Sequence, residues 1–185
     1  MSRTLQYAGI AGILYLPYSV FSIIFEILRL TNKLNSTLLS VFIIAALLSL
    51  GLYIIFIYGF LLIGERYENN LLRFASYFLI IFGTLFNGYS VLTIMYPNLD
   101  NMFVQIVSVV IAGAATIPFG VGLLKLKPQF GSIATAAGVI EIISGVSLLT
   151  FILSFLTILL YIPLCILLSM ILFRAAKKPE FTLAE

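Results

Sequence analysis

The chain has no histidine, no tryptophan, one cysteine and one aspartate among its 185 residues. Without histidine it lacks the usual haem ligand, the usual general base and most catalytic zinc ligand sets. Cys165 has no second cysteine to join it in a disulfide or a thiolate cluster, so cysteine usage carries no information about redox compartment. Asp100 stands alone in a polar connector, which excludes a two-aspartate intramembrane protease. Every lysine falls at or beyond the end of an apolar run, which removes Ser-Lys chemistry. No glycine-rich phosphate cradle, GxSxG or HExxH occurs. The sequence therefore predicts a protein that is not an enzyme and that uses no metal and no cofactor.

Charge is scarce too. Charged residues make up 9% of the chain, against about 25% in soluble domains, and hydrophobic ones 62%. Such a composition fixes lipid as the solvent. The formal charge of +3 and a pI near 9.0 would raise nucleic acid as a partner in a soluble protein. Here the ten basic residues are dispersed over the ends of apolar runs, so no nucleic-acid footprint is present.

Six apolar runs are long enough to cross a bilayer: Ala8 to Leu28, Leu38 to Ile63, Leu71 to Met95, Phe103 to Leu124, Ser132 to Thr150 and Leu153 to Phe173. The first is read as an uncleaved helix because no small-x-small site precedes Glu26. Four breaks are marked by polar connectors, "RLTNKLNST", "GERYENN", "YPNLDN" and "KLKPQFG". The fifth rests on length. One helix from Gly131 to Phe173 would extend to about twice the ~30 Å hydrocarbon core, so a hairpin is expected near Leu149 to Phe151.

With six spans, one side collects Arg3, Arg66, Arg73, Lys125, Lys127, Arg174, Lys177 and Lys178, and the other Arg29 and Lys33. This asymmetry predicts both termini in the cytoplasm. Tyr7, Tyr58, Tyr67, Tyr77 and Tyr96 fall near span ends, where aromatic rings anchor helices. The fold class expected is an all-α transmembrane bundle forming a single domain over residues 1–185, a multi-pass protein of a cell (inner or plasma) membrane. Its partners would be lipid and possible further membrane subunits or copies of itself.

Small and polar residues mark the helix faces that turn to protein, because lipid cannot drive apolar helices together. In the fifth span Ala134, Ala137, Gly138, Ser144 and Gly145 surround Glu141 at helical spacing, which puts that carboxyl against protein. Ala8, Gly12, Tyr15, Ser19, Ser22 and Glu26 form a similar stripe in the first span, Ser76, Gly83, Asn87 and Ser90 in the third, and Ser154, Thr157, Tyr161 and Cys165 in the sixth. Pro17, Pro118 and Pro163 interrupt three spans, where neighbours must satisfy the freed carbonyls.

Glu141 is the main candidate site residue, with Asn87 as its candidate partner. An ionised Asp at a helix centre costs roughly 2.5–3.5 kcal/mol on insertion scales, and Glu should be similar in kind. A neutral carboxylic acid instead donates and accepts hydrogen bonds, and so could clasp Asn87, Tyr161 or a carbonyl. Three readings stay open: a structural clasp, a site that exchanges H⁺ or a cation during transport, and a docking point for another subunit. Glu26 and Arg29, three residues apart at a span end, are expected to form an interfacial ion pair. Glu65, Arg66 and Glu68 read as a solvated loop.

The stretches "FGVGLLKLKPQFGSIATAAGVIEIISG" (119–145) and "YGFLLIGERYENNLLRFASYFLIIFG" (58–83) resemble segments of small multi-pass membrane proteins of bacteria and archaea. The resemblance implies a prokaryotic inner-membrane setting and transfers no site residue. The expectation is a non-enzymatic integral membrane protein with a structural or accessory role, as a possible subunit of a larger membrane assembly. The alternative is a small proton- or cation-coupled transporter or channel using Glu141.

Overall fold

In lipid every backbone N–H and C=O must be satisfied within the protein, and a helix does this within one segment. The computed structural model describes residues 2–30, 36–150 and 154–178, and no strand occurs among them. Six long helices are present: α1 (Ser2–Leu30), α2 (Ser36–Arg66), α3 (Asn70–Met95), α4 (Met102–Leu124), α6 (Ser132–Leu149) and α7 (Ser154–Lys177). Between α4 and α6 lies a four-residue helix, α5 (Lys127–Phe130), within the connector "KLKPQFG". Five helices are long and apolar enough to cross a membrane, over Thr37–Arg66, Asn70–Met95, Met102–Leu124, Ser132–Leu149 and Leu159–Lys177. They mark the chain as a multi-pass integral membrane protein.

Local sequence sets the helix ends. The Asn69 side chain accepts from Leu72 N to cap α3, and Asn101 accepts from Phe103 N to cap α4. Gly131 joins α5 to α6 at φ 66°, a conformation in which a side chain would be strained. The α6 helix stops at Leu149 with Thr150 as its cap, and α7 begins at Ser154. The expected hairpin at Leu149 to Phe151 therefore falls partly outside the described residues. Pro17, Pro118 and Pro163 lie inside α1, α4 and α7, each of which continues through its proline.

Each long helix packs chiefly on two others, in the cyclic order α1, α2, α3, α4, α6, α7 and back to α1. The result is a closed ring of helices. The pairing of α4 with α6 is the most extensive, and its cause is glycine. A Cβ on Gly120 would lie 2.9 Å from the Gly138 carbonyl oxygen, and one on Gly113 would lie 2.8 Å from that of Gly145. The two backbones thus touch at two points seven residues apart, in antiparallel register.

One end of the ring is filled. Phe60, Phe119, Leu5, Leu72, Leu123 and Leu172 have essentially no exposed surface and belong to one contiguous core, with edge-to-face ring contacts between Phe56 and Phe60 and between Phe60 and Phe119. A second, smaller cluster of Phe25, Phe42 and Ala46 lies toward the opposite end. Leu5 of α1 shares the main core with Ala175 and Ala176 of α7, so the start of the first helix and the end of the last meet at the filled end.

The expected solvated loop Glu65, Arg66 and Glu68 is corrected in part. Arg66 donates to the carbonyl oxygens of Ala175 and Lys178, at 2.9 and 3.0 Å, and so holds the C-terminal end of α7. Glu65 faces Arg73 at 3.8 Å, and Glu68 is exposed. The turn is tight because Asn69 N donates to the Gly64 carbonyl, which brings the Arg66 fork over α7.

Candidate functional site

Glu141 lies midway between the two glycine contacts of the α4–α6 seam, on the face that carries Gly138 and Gly145. It is 6% exposed, and Ala134, Ala137, Gly138, Ser144 and Gly145 are buried with it. The stripe thus points inward, as its residue types dictate. Across the seam, the Cβ of Glu141 is within 3.1 Å of where a Cβ on Gly120 would stand, so the carboxyl stem occupies room that glycine leaves.

Two polar atoms here lack partners. Neither Glu141 Oε2 nor Ser144 Oγ, one turn apart on the same face, makes a hydrogen bond among the described residues, and both atoms are out of contact with solvent. Buried polar atoms are nearly always satisfied, and an orphan of this kind calls for an explanation. The α4–α6 contact does not need the carboxyl, because the glycines already bring the backbones together.

Tyrosines from three helices stand around the same level. The Tyr15 ring of α1 is 5.9 Å from that of Tyr53 on α2 and 6.2 Å from that of Tyr161 on α7. Tyr53 donates to the Leu79 carbonyl oxygen at 3.0 Å, and its ring fills the space beside Gly83 of α3. Tyr15 and Tyr161 interact through their hydroxyls, and Cys165 lies next to Tyr161. Glu141 is within electrostatic reach of both Tyr53 and Cys165. All six long helices therefore contribute a group or a backbone contact to one polar layer inside the ring.

Above this layer, toward the end opposite the filled core, the ring opens into a cleft of about 460 Å³. Tyr15 and Tyr18 line it from α1, Phe42 from α2, Asn87, Ser90 and Thr93 from α3, and Gln105 from α4. The Tyr15 ring is common to the cleft and to the layer around Glu141.

Asn87 does not meet Glu141. It donates through Nδ2 to the Gly83 carbonyl oxygen at 2.7 Å and lines the cleft, of which Glu141 is not a lining residue. The expected partnership is not seen among the described residues: Asn87 bonds within its own helix and faces the cleft, and Glu141 lies on the α4–α6 seam. The side chains of Glu26 and Arg29 lie outside the described residues, so their expected ion pair does too. Tyr7, Tyr58, Tyr77 and Tyr96 are exposed on the outer surface, whereas Tyr67 is half-buried with its ring against Phe130 at 5.6 Å.

Sequence reasoning missed Tyr18, Tyr53, Thr93 and Gln105. For Tyr53 a signal was present, because a phenol in mid-span must find a hydrogen-bond partner and so faces protein. Comparison with protein-family models, with curated proteins and with solved structures returns no match.

Proposed function

We propose that this is a small, non-enzymatic carrier of the cell membrane in which Glu141 and Ser144 hold a proton or a small monovalent cation that is exchanged through the cleft. The observation that supports this reading is the pair of orphaned oxygens, Glu141 Oε2 and Ser144 Oγ, beneath a cleft that opens toward one end of the ring. A carboxylate inside a membrane domain is costly and commonly marks an ion or proton path. A clasp would consume the carboxyl oxygens in hydrogen bonds, and a docking point would present them outward; Glu141 Oε2 does neither. Ser144 adds a hydroxyl oxygen that can ligate a cation or share a proton.

In this reading α1 supplies a sixth span, and the filled end, with Arg66, Arg73, Lys125, Lys127 and Arg174, faces the cytoplasm by the positive-inside rule. The cleft then opens to the other side. The filled core blocks the path beyond Glu141, so passage requires that end to loosen, as alternating access demands.

The test is ion movement in proteoliposomes under an imposed potential, read by an internal pH dye or by labelled Na⁺. The intact protein should move one of the two, and Glu141→Gln should abolish this while leaving the protein monodisperse. Equal movement by wild type and Glu141→Gln overturns the role given to the carboxyl. No movement of either ion returns the protein to a structural or accessory role. That second reading has its own support, since Gly51 of α2 and Gly88 of α3 have open space where a side chain would stand and would admit a partner helix. Native mass spectrometry of gently extracted protein would then find a stoichiometric partner.

A further inference from the structure

Several polar side chains of the cleft wall are turned toward the protein itself. Thr93 turns its hydroxyl hydrogen to the Ser90 carbonyl at 2.9 Å, and Tyr89 turns its own to the Leu99 carbonyl at 3.0 Å. Asn87 Nδ2 is directed to the Gly83 carbonyl, and Gln105 Nε2 to the Asp100 carboxylate. Four polar side chains of the wall thus aim a donor at the protein itself. The Tyr89 hydroxyl oxygen accepts from Asn101 N at 3.2 Å, and Asn87 Oδ1 and Gln105 Oε1 are further acceptors.

Aromatic rings make up much of the rest. Tyr15 and Tyr18 stand with centroids 6.1 Å apart, and Phe42 lies 6.5 Å from Tyr18. Phe86 and Tyr89 line the cleft from α3. A ring face is electron-rich and attracts a cation, by about 0.5–1 kcal/mol at exposed sites and 2 or more when desolvated. Among the described residues no lysine, arginine or carboxylate lines the cleft, so these residues offer an anion no counter-charge and a bare metal ion no charged ligand. Asp100, bonded to Gln105, supplies negative charge at the rim. The volume is within the ~300–1,000 Å³ range of small-molecule sites.

From these oxygen acceptors and ring faces, we infer that the cleft binds an organic ammonium group, with its N–H bonds directed to Asn87 Oδ1 and its charge over the Tyr15 and Tyr18 rings. The inference rests on the carrier reading only in making the amine the solute exchanged against the ion at Glu141. As a binding site it stands on the cleft alone. The same ammonium chemistry is offered by a free amine and by the headgroup of phosphatidylethanolamine.

The experiment uses the full chain in nanodiscs of phosphatidylglycerol, which carries no amine, with calorimetric titration of benzylammonium, benzyl alcohol and benzoate. Benzylammonium is expected to bind at least tenfold more tightly than benzyl alcohol, with benzoate undetected. Asn87→Leu and Tyr18→Leu should each weaken it about tenfold, and Tyr18→Phe, which keeps the ring, by less than threefold. Benzyl alcohol binding as tightly as benzylammonium overturns the inference, as does benzylammonium binding that both leucine variants retain. The wild-type comparison decides the matter even if a leucine variant fails to fold. Replacing half the lipid with phosphatidylethanolamine separates the sources, since strong competition makes the lipid headgroup the occupant and none makes it a free amine, and either result keeps the ammonium site. Benzylammonium binding by a wild-type protein that moves neither H⁺ nor Na⁺ sinks the carrier reading and spares this one.

Discussion

At the filled end of the ring, polar side chains reach from helix to helix. Arg66 at the end of α2 holds the end of α7, Asn69 at the start of α3 donates to the Gly122 carbonyl of α4 at 2.7 Å, and Lys178 donates to the Gln129 carbonyl of α5. At the cleft end, Asn87, Thr93 and Ser147 each bond a carbonyl of their own helix. Among the described residues the apolar groups follow the same division, since the larger core, with the fully buried Phe60, Phe119 and Leu172, surrounds the filled end and a smaller buried cluster of Phe25, Phe42 and Ala46 lies at the other. One sequence therefore makes a fastened base and a looser mouth from the same helices. Low local stability is where motion and binding reside, so the mouth is the end expected to admit a ligand.

The sharpest way to break the comparison is to add bulk to the base of the α4–α6 seam. A Cβ on Gly138 would lie 2.7 Å from the Gly120 carbonyl oxygen, and backbone cannot swing aside as a side chain can. Gly138→Leu should cost at least the upper part of the roughly 1–3 kcal/mol typical of overpacking, seen as loss of monodisperse protein or a steep fall in resistance to SDS unfolding. An unchanged unfolding curve would mean that the two backbones do not touch.

Asn69 offers a finer cut. It caps α3 through Oδ1 and binds α4 through Nδ2, so Asn69→Ala removes two bonds at once. Loss of the cap costs about 1 kcal/mol, and the orphaned Gly122 carbonyl adds about 1–3. Asn69→Ser keeps a capping oxygen and loses the reach to Gly122, so it should fall between wild type and alanine. If serine behaves as alanine does, the link to α4 carries the whole effect. Arg66→Ala should act more locally. Losing its two partly exposed bonds costs about 1 kcal/mol, and the expected sign is faster amide exchange over residues 174–178 with the rest of the chain unchanged.

The inward face of α6 was legible from sequence because small residues and a carboxyl at helical spacing have one tolerable orientation in lipid. Parts of other inward faces followed from the same rule, as Ala8, Ser76 and Cys165 are all buried. What stood opposite Glu141 was not legible. Helical spacing fixes which residues share a face but not which helix that face meets, so Asn87 was matched to Glu141 although α6 packs on α4 and α7 and Asn87 of α3 bonds the Gly83 carbonyl. Arg66 was misread for a related reason, since its partners are backbone carbonyls 109 and 112 residues away, and carbonyls have no signature in sequence.

The smallest expected effect is the most discriminating about where the base ends and the mouth begins. Gly83 and Gly88 lie five residues apart on α3, and both would gain the same methyl group from alanine. At Gly83 that methyl would stand 2.5 Å from the Tyr53 ring, which is held by its bond to the Leu79 carbonyl and by Tyr15 beside it. At Gly88 nothing lies within 4 Å. Alanine is preferred over glycine inside a helix by up to about 1 kcal/mol, so Gly88→Ala should leave SDS resistance unchanged or slightly raised. Gly83→Ala should lower it by about 1 kcal/mol or more, because the clash exceeds the helical gain. If the two variants respond alike, the tyrosine layer is not a packed boundary, and the cleft would reach Glu141 without obstruction. If they diverge, the boundary lies within those five residues, with the Tyr53 ring as its wall.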